Sequence, residues 1–417
     1  MNMNNKINEL MNDYNREKIK YKEMYDYYLG KTNTMKNYKL TDRSNIKVSV
    51  NYIKKFIKEE VSYSLGNDIT YISKAGDKEI IELLEQNLDI SDTHDIELMK
   101  NMLIFGESYE LAYITKENKL GAKVLNPLNS YVEYDDYDNI IGFIHVREKD
   151  YGKKKYIDYY TKDYIHHYLN GKEISEPTPN ILGIVPVSVA KVSDEGYQDT
   201  IYSDIKHLVD AYEQCQSDIC NEIADTRTAY LVASGCTLGD EENIREMKSK
   251  GILELPTTNS DIKWLTKNIN DTFINNTLNN LEDKIYQITS HINHNESLSS
   301  NISGVALRSR LISLEERCKL NQRALTEAIK FRLMLVFRLV SIKLGIYKDY
   351  RDIKIKFTAN IPQDDLNTAQ IISQLGDKVS TETALSLLSF VENPTQEMDK
   401  INKENESYNL GLGLLNE

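Results

Sequence analysis

Between Gly304 and Gly345 the chain runs without an internal proline or glycine. Leu307, Leu311, Leu314, Cys318, Leu325, Ile329, Leu333, Val336 and Val340 recur there at three-, four- and seven-residue steps, the helical period. A straight helix of that length spans about 60 Å at 1.5 Å per residue, more than most globular folds require. Before it lies a polar stretch, 292–303, with few packing residues and neither Lys nor Arg. The same periodicity predicts helices over Lys6–Leu29, Ser49–Leu65, Lys78–Leu88, Asp92–Phe105, Asp199–Asp225 and Asp271–His291. Ser49–Leu65 carries Val50, Ile53, Phe56, Ile57 and Val61 and stops at Gly66-Asn67, a C-terminal cap signal. Asp199–Asp225 carries Ile201, Ile205, Leu208, Tyr212, Cys215, Ile219 and Ile223 on one stripe.

Elsewhere the period drops to two. Ile69–Ser73 is a short strand, and alternation from Ser108 to His167 predicts antiparallel strands. These fall at Tyr109–Thr115, Ala122–Leu125, Ser130–Tyr134, Ile140–Glu148 and Tyr156–Thr161, with turns at Asp135–Asn139 and Asn170-Gly171. Glu176–Asn180, with two prolines, marks a linker before the apolar strand Ile184–Val189. A strand-rich insert (Tyr230–Ala233, Gly251–Leu255, Ile262–Leu265) separates the helices Asp199–Asp225 and Asp271–His291. A strand at Ile353–Thr358 and short helices around Leu366–Leu375, Thr381–Phe390 and Pro394–Glu404 follow the long helix. The stretch Gly30–Lys39 reads as a break. The fold class expected is α+β.

Composition bounds the function. A chain of 417 residues holds roughly two or three domains. No apolar run approaches the roughly 20 residues of a membrane helix; Phe331–Leu344 is interrupted by Arg332, Arg338 and Lys343. Met1–Lys22 is polar, so no signal peptide is expected. Cys215, Cys220, Cys236 and Cys318 lack metal-ligand spacing and fit reduced thiols. The 28 tyrosines fit polar-tipped interface contacts or, more simply, a low-GC coding bias. A net charge of −13 argues against gripping nucleic acid electrostatically, though not against letting it slide past. That charge is uneven. Asp199, Asp204, Asp210, Glu213, Asp218, Glu222 and Asp225 face Lys206 alone on one helix, whereas Gly304–Gly345 carries nine Arg and Lys against three acids. Solvated faces are the plain reading of both sets.

Catalytic signals are weak. Leu29-Gly30-Lys31-Thr32 contains the end of a phosphate-binding loop, but the upstream glycine is replaced by Tyr25. His291 and His294 have no third metal ligand at a suitable local spacing, and His166-His167 alternates across a strand. Asp135, Asp136 and Asp138 lack the calcium-loop pattern and form a turn more simply. Asp364 and Asp365 precede a helix and suit capping. No cofactor, no metal and no enzymatic activity are expected.

Several short motifs share one order. They are Tyr27-Tyr28-Leu29-Gly30, the segment Ser64–Tyr71, Val124-Leu125-Asn126-Pro127, Val185-Pro186-Val187, His207–Tyr212, and Ser303-Gly304-Val305-Ala306-Leu307 followed by Leu314-Glu315. In that order and spacing, from about Tyr27 to Glu404, the chain resembles the portal proteins of tailed double-stranded DNA bacteriophages. The resemblance implies a portal fold: a mixed α/β wing (1–198), a first stem helix (199–226), a small β-containing clip (227–269), a second stem helix (270–291) and a channel loop (292–303). It continues with a long support helix and return strand of the wing (304–362) and a helical crown and tail (363–417). It implies a closed ring, usually of twelve copies, at one capsid vertex of the virion, assembled in the host bacterial cytoplasm. DNA would pass without sequence specificity during packaging and ejection. The partners implied are the terminase large subunit, a head-completion or tail adaptor protein, and the major capsid and scaffolding proteins, with no membrane.

Residue by residue, Asn293, His294, Asn295, Glu296, Ser297, Ser299, Ser300, Asn301 and Ser303 would approach DNA, with Gly304 as the hinge into the helix. Asp204, Asp210, Glu213, Asp218, Glu222 and Asp225 would form an acidic stem wall that repels the duplex. The basic helix would neutralise acidic neighbours or sit near packaged DNA. Alternatives are another phage ring or connector, including one from a headless tail-like particle, or a metal-dependent nucleic-acid enzyme built on the carboxylates.

Overall fold

The computed structural model describes residues 3–39, 44–226, 230–234, 261–265, 271–293, 304–360, 365–388 and 400–404, with isolated positions between them. The chain divides into two compact units. One holds residues 1–297 and 311–358; the other holds 298–310 and 359–417.

The larger unit begins with α1 (Met3–Tyr28), α2 (Asn33–Asn37), α3 (Tyr52–Leu65), β1 (Thr70–Ser73), α4 (Lys78–Asn87), β2 (Leu88–Asp89) and α5 (His94–Phe105). Next come β3 (Glu107–Ile114), β4 (Leu120–Leu125), β5 (Ser130–Tyr134), β6 (Ile140–Lys149), β7 (Lys154–Tyr160), β8 (Tyr164–Leu169), β9 (Lys172–Glu173), β10 (Thr178–Pro179) and β11 (Val187–Lys191). The helix α6 (Ile201–Thr226), the antiparallel pair β12 (Tyr230–Ser234) and β13 (Asp261–Leu265), and α7 (Asp271–Thr289) lead to the long helix α8 (Gly304–Leu344) and β14 (Ile353–Lys356). In the smaller unit, α9 (Asp365–Leu375) and α10 (Thr381–Leu385) are described.

Two sheets carry the larger unit. One runs β10-β8-β7-β6-β5 with β9 as a hairpin on β8; the other runs β11-β3-β4-β2. The amino-terminal half of α1 lays Ile7, Leu10, Met11 and Tyr14 on Ile144, Val146, Ile157, Tyr159 and Tyr168 of the first sheet. That sheet's Val132 and Phe143 meet Tyr109, Leu111, Leu125 and Val187 of the second. The carboxy-terminal half of α1 joins the main core with α3–α6, the end of α7 and α8. Leu325, Ile329, Leu333, Val336 and Val340 of α8 are fully buried there. Burial of this stripe is what stabilises so long a helix, since isolated helices are marginal in water. The pairing of β1 with β14 joins Thr70–Ser73 to Ile353–Lys356 across most of the chain.

Three local expectations change. The break after Gly30 contains α2, capped by Thr32, whose hydroxyl accepts from the Met35 amide. The helix expected from Ser49 starts at Tyr52, because the Asn51 side chain caps it through the Lys54 amide. The strand expected around His166-His167 runs on past His167 to Leu169 and pairs with β7.

Gly106 ends α5 in the left-handed region, at φ +83°, and its amide donates to the Met102 carbonyl. A Cβ there would lie 2.5 Å from the Gly196 carbonyl and the Tyr197 nitrogen. Gly106→Ala is therefore expected to cost about 2–4 kcal/mol, adding a backbone clash to the left-handed penalty. A urea unfolding midpoint within error of the wild type would refute that account.

Candidate functional site

The polar stretch before α8 is the site to which the sequence points. Of its residues, His294, Asn295, Glu296, Ser297, Ser299, Ser300, Asn301 and Ser303 lie outside the described residues; Asn293 and the backbone of Gly304 lie inside. What the structure defines is how the chain is held on either side of it, at His291 before the stretch and at Arg317 on α8 after it.

Before the stretch, the chain is fixed by packing. Ser290 turns the chain out of α7 at φ 61°. The His291 amide donates to the Tyr286 carbonyl at 3.1 Å. The His291 ring stacks on Phe56 of α3, with centroids 4.2 Å apart, and its Nδ1 hydrogen-bonds the Thr289 carbonyl at 2.8 Å. Tyr286 packs edge-on against the same Phe56. Burial pushes the imidazole down to about 3 and outweighs the two carbonyls facing it, so the ring is neutral at pH 7.

Further along, α8 is fixed by charge at Arg317. Glu60 of α3 is fully buried. Its Oε1 lies 2.8 Å from Arg317 Nε, and its Oε2 accepts from Asn321 Nδ2 at 2.6 Å. Cys318, between them on α8, points its Sγ at the Glu60 carbonyl. A second nitrogen of Arg317 lies 3.6 Å from Asp204 of α6. The neutral His291 ring sits 3.8 Å from Glu60 Oε1. One carboxylate of α3 thus gathers α6, the end of α7 and α8. Burial raises the Glu60 carboxyl above its ordinary value and outweighs Arg317 and Asn321. Burial likewise pushes the Cys318 thiol up to about 12, which makes it a packing residue rather than a nucleophile.

His291 sets a testable pH dependence. The unfolded ring titrates near 6.5 and the folded one near 3, so in that window the unfolded chain binds a proton that the folded chain refuses. Stability should fall as pH drops from about 6.5 toward 3. His291→Gln should flatten the slope there by up to about one proton. Urea titrations at several pH values read this difference, and parallel slopes would exclude it. Glu60 acts with the opposite sign: its contribution is full at low pH and fades as pH rises through its raised value.

The acidic helix differs from expectation. Glu213 is fully buried within the chain rather than solvated. Its carboxylate accepts from Thr32 Oγ1, from Ser49 Oγ at 3.1 Å and from the Val50 amide at 2.9 Å. Asp210 accepts from the Tyr27 hydroxyl at 2.6 Å and from the Thr34 amide and hydroxyl. Ser217 Oγ accepts from the Val48 amide, and Asn221 bonds both the amide and the carbonyl of Ile46. Asp210, Glu213, Ser217 and Asn221 lie three and four residues apart, so they form one polar stripe that receives the extended backbone of residues 46–50. Asp204 and Asp218 are exposed and Glu222 is half-buried. Asp218 accepts from the Tyr38 hydroxyl at 2.7 Å. The side chain of Asp225 lies outside the described residues.

The basic helix also works within its own chain. Arg332, 1% exposed, is held between Glu110 of β3 and Asp95 of α5. Glu110 further contacts His94 Nε2 at 3.0 Å and accepts from Ser188 Oγ at 3.1 Å. Burial pushes Glu110 up, but Arg332 and His94 outweigh it and hold the carboxyl below its ordinary value. Lys319 and Lys330 pair locally with Glu315 and Glu327. The remaining motifs resolve simply. Thr32 of the Gly-Lys-Thr run is the buried cap of α2. Asp135 closes its turn by accepting from the Asn139 side chain and from the Asn139 and Tyr137 amides, which together hold its carboxyl low.

Comparison with known proteins decides the family. A family model described as phage portal protein, SPP1 Gp6-like, matches residues 7–409. The chain belongs to the phage portal protein family. That family is one of structural ring proteins rather than enzymes. The portal protein of Bacillus phage SPP1 is 21% identical over an alignment of 399 residues, and the match covers 88% of this chain and 77% of that relative. Among solved structures, the neck of an empty gene transfer agent particle computed with C6 symmetry superposes with a TM-score of 0.52 at 12% identity, over 80% of this chain and 89% of that one. The neck of a native particle computed with C12 symmetry superposes with a TM-score of 0.50 over 81% and 89%. At these identities the likeness speaks for the portal fold alone. The mixed α/β architecture and the long helix of this portal family member agree with it. No helix among the described residues is long and apolar enough to cross a membrane.

Proposed function

We propose that copies of this chain close into a ring, of twelve by analogy with the C12 neck, that forms a DNA channel at a capsid vertex. Residues 1–198 with 304–362 would supply the wing, α6 and α7 the stem, residues 227–269 the clip and residues 363–417 the crown and tail. The observation that carries the reading is the Glu60 cluster. It roots the stretch 292–303 at His291 and at Arg317 on a rigid base, as a loop that contacts moving DNA requires. The Ser and Asn side chains of that stretch offer neutral contacts along which a phosphate backbone slides without being held. The clip would dock the terminase motor and later a tail adaptor, and the outer surface would meet capsid and scaffolding proteins. ATP hydrolysis belongs to that motor. Ring closure joins two different faces of each subunit.

Replacing Ser299, Ser300 and Ser303 together with Lys should leave rings intact in electron micrographs and in mass measurements, yet lower the yield of packaged DNA. Normal packaging with the triple variant would remove the loop from the DNA path. Compact dimers without a central hole would overturn the ring itself.

A further inference from the structure

A cavity of about 160 Å³ lies where α1 crosses the edge of the first sheet, far along the chain from the loop. Five tyrosines line it: Tyr14, Tyr21, Tyr109, Tyr131 and Tyr134. Two carboxylates, Glu17 and Glu107, share the wall, and no cationic side chain does. Glu107 Oε1 accepts from the Tyr21 hydroxyl at 2.7 Å and from the Tyr109 hydroxyl at 2.9 Å. These two hydroxyls hold the carboxylate in place, and no ion pair to Glu107 occurs among the described residues. Lysines stand over three of the five lining rings, Lys18 over Tyr14, Lys20 over Tyr21 and Lys191 over Tyr134, at 4.9–5.2 Å, which leaves Tyr109 and Tyr131 as the rings with no such lysine among the described residues. Glu17, with a third of its side chain exposed, is already paired with Lys20 and lies 3.8 Å from Arg16, so Glu107 is the lining carboxylate without an ion pair among the described residues.

A half-buried carboxylate without a counter-ion, walled by electron-rich rings, favours a cation over any neutral guest. The space holds several waters at roughly 30 Å³ each, or the end of an alkylammonium chain. We propose that this cavity binds an alkylammonium group, with Glu107 as the ion-pairing partner, the tyrosine faces as the cage and Glu17 at the entrance. The chemistry is shared by a lysine side chain of another polypeptide and by a free diamine.

Calorimetric titration of the full chain with putrescine and with N-acetyl-lysine methylamide tests the proposal, with N-acetyl-norleucine methylamide as the neutral control. Either amine should bind, the control should not, and Glu107→Gln should weaken binding by at least about tenfold, the usual scale of a hydrogen-bonded charge pair. Gln at that position still accepts from Tyr21 and Tyr109, so the melting temperature should stay near that of the wild type. Glu17→Gln, at the entrance, should weaken binding less and provides a second variant outside the hydrogen-bonded core. Preference for putrescine would identify a free diamine as the guest, and preference for the lysine derivative a side chain. Equal binding of the neutral control, absence of amine binding, or undiminished affinity in a folded Glu107→Gln variant would each overturn the proposal.

Discussion

Arg332→Ala is expected to destabilise the fold by about 3–5 kcal/mol, the largest effect of any single substitution considered. The guanidinium is buried in the middle of α8 between Glu110 and Asp95. Its loss strands Glu110 in the core with only His94 and Ser188 beside it. The carboxyl, now held below its ordinary value, would then take up a proton, so the cost should shrink at lower pH. Adding Glu110→Gln to Arg332→Ala should recover part of the loss, because it removes the charge that the first change leaves behind. Chemical unfolding of both variants reads the coupling. A single-variant cost below about 1 kcal/mol, or strictly additive effects, would mean that solvent reaches the cluster and that it does not pin α8 to α5 and β3.

Glu60→Ala is expected to come next, at about 3 kcal/mol, with a more local signature. It leaves Arg317 and Asn321 without their acceptor and loosens the base that holds the chain on either side of the 292–303 stretch. Hydrogen exchange should therefore quicken in the last turn of α7 and around Arg317, while the β6–β7 amides keep their protection. Uniform quickening across the whole unit would show that Glu60 supports the fold generally rather than this junction.

Much of this was legible in the sequence because period and punctuation agreed. The span of α8 follows from glycines at 304 and 345 and an unbroken apolar stripe between them. The strands β5 and β6 follow from clean alternation around a turn that Asp135 closes. Polar residues that serve the interior were harder to read. Glu213 looked like one more solvated acid, yet Ser217 and Asn221 repeat on its face at a spacing that marks a buried polar stripe. Glu60 and Arg332 sit on apolar stripes, next to Phe56–Ile57 and Ile329–Leu333, and a charge in such a place signals a buried partner. Periodicity reveals that a partner exists, not which distant element supplies it: Arg332 and Glu110 are 222 residues apart.

The burial of α8 in the main core also bears on synthesis. Tyr21, Phe56, Leu98 and Phe105 leave the ribosome long before Leu325–Val340, the helix they pack against, and β1 waits for β14 at Ile353. At about 5–20 residues per second, the early helices spend tens of seconds with an apolar face uncovered. A nascent chain of this kind completes its core only late in elongation, and a message truncated before codon 340 yields a product whose core is never closed.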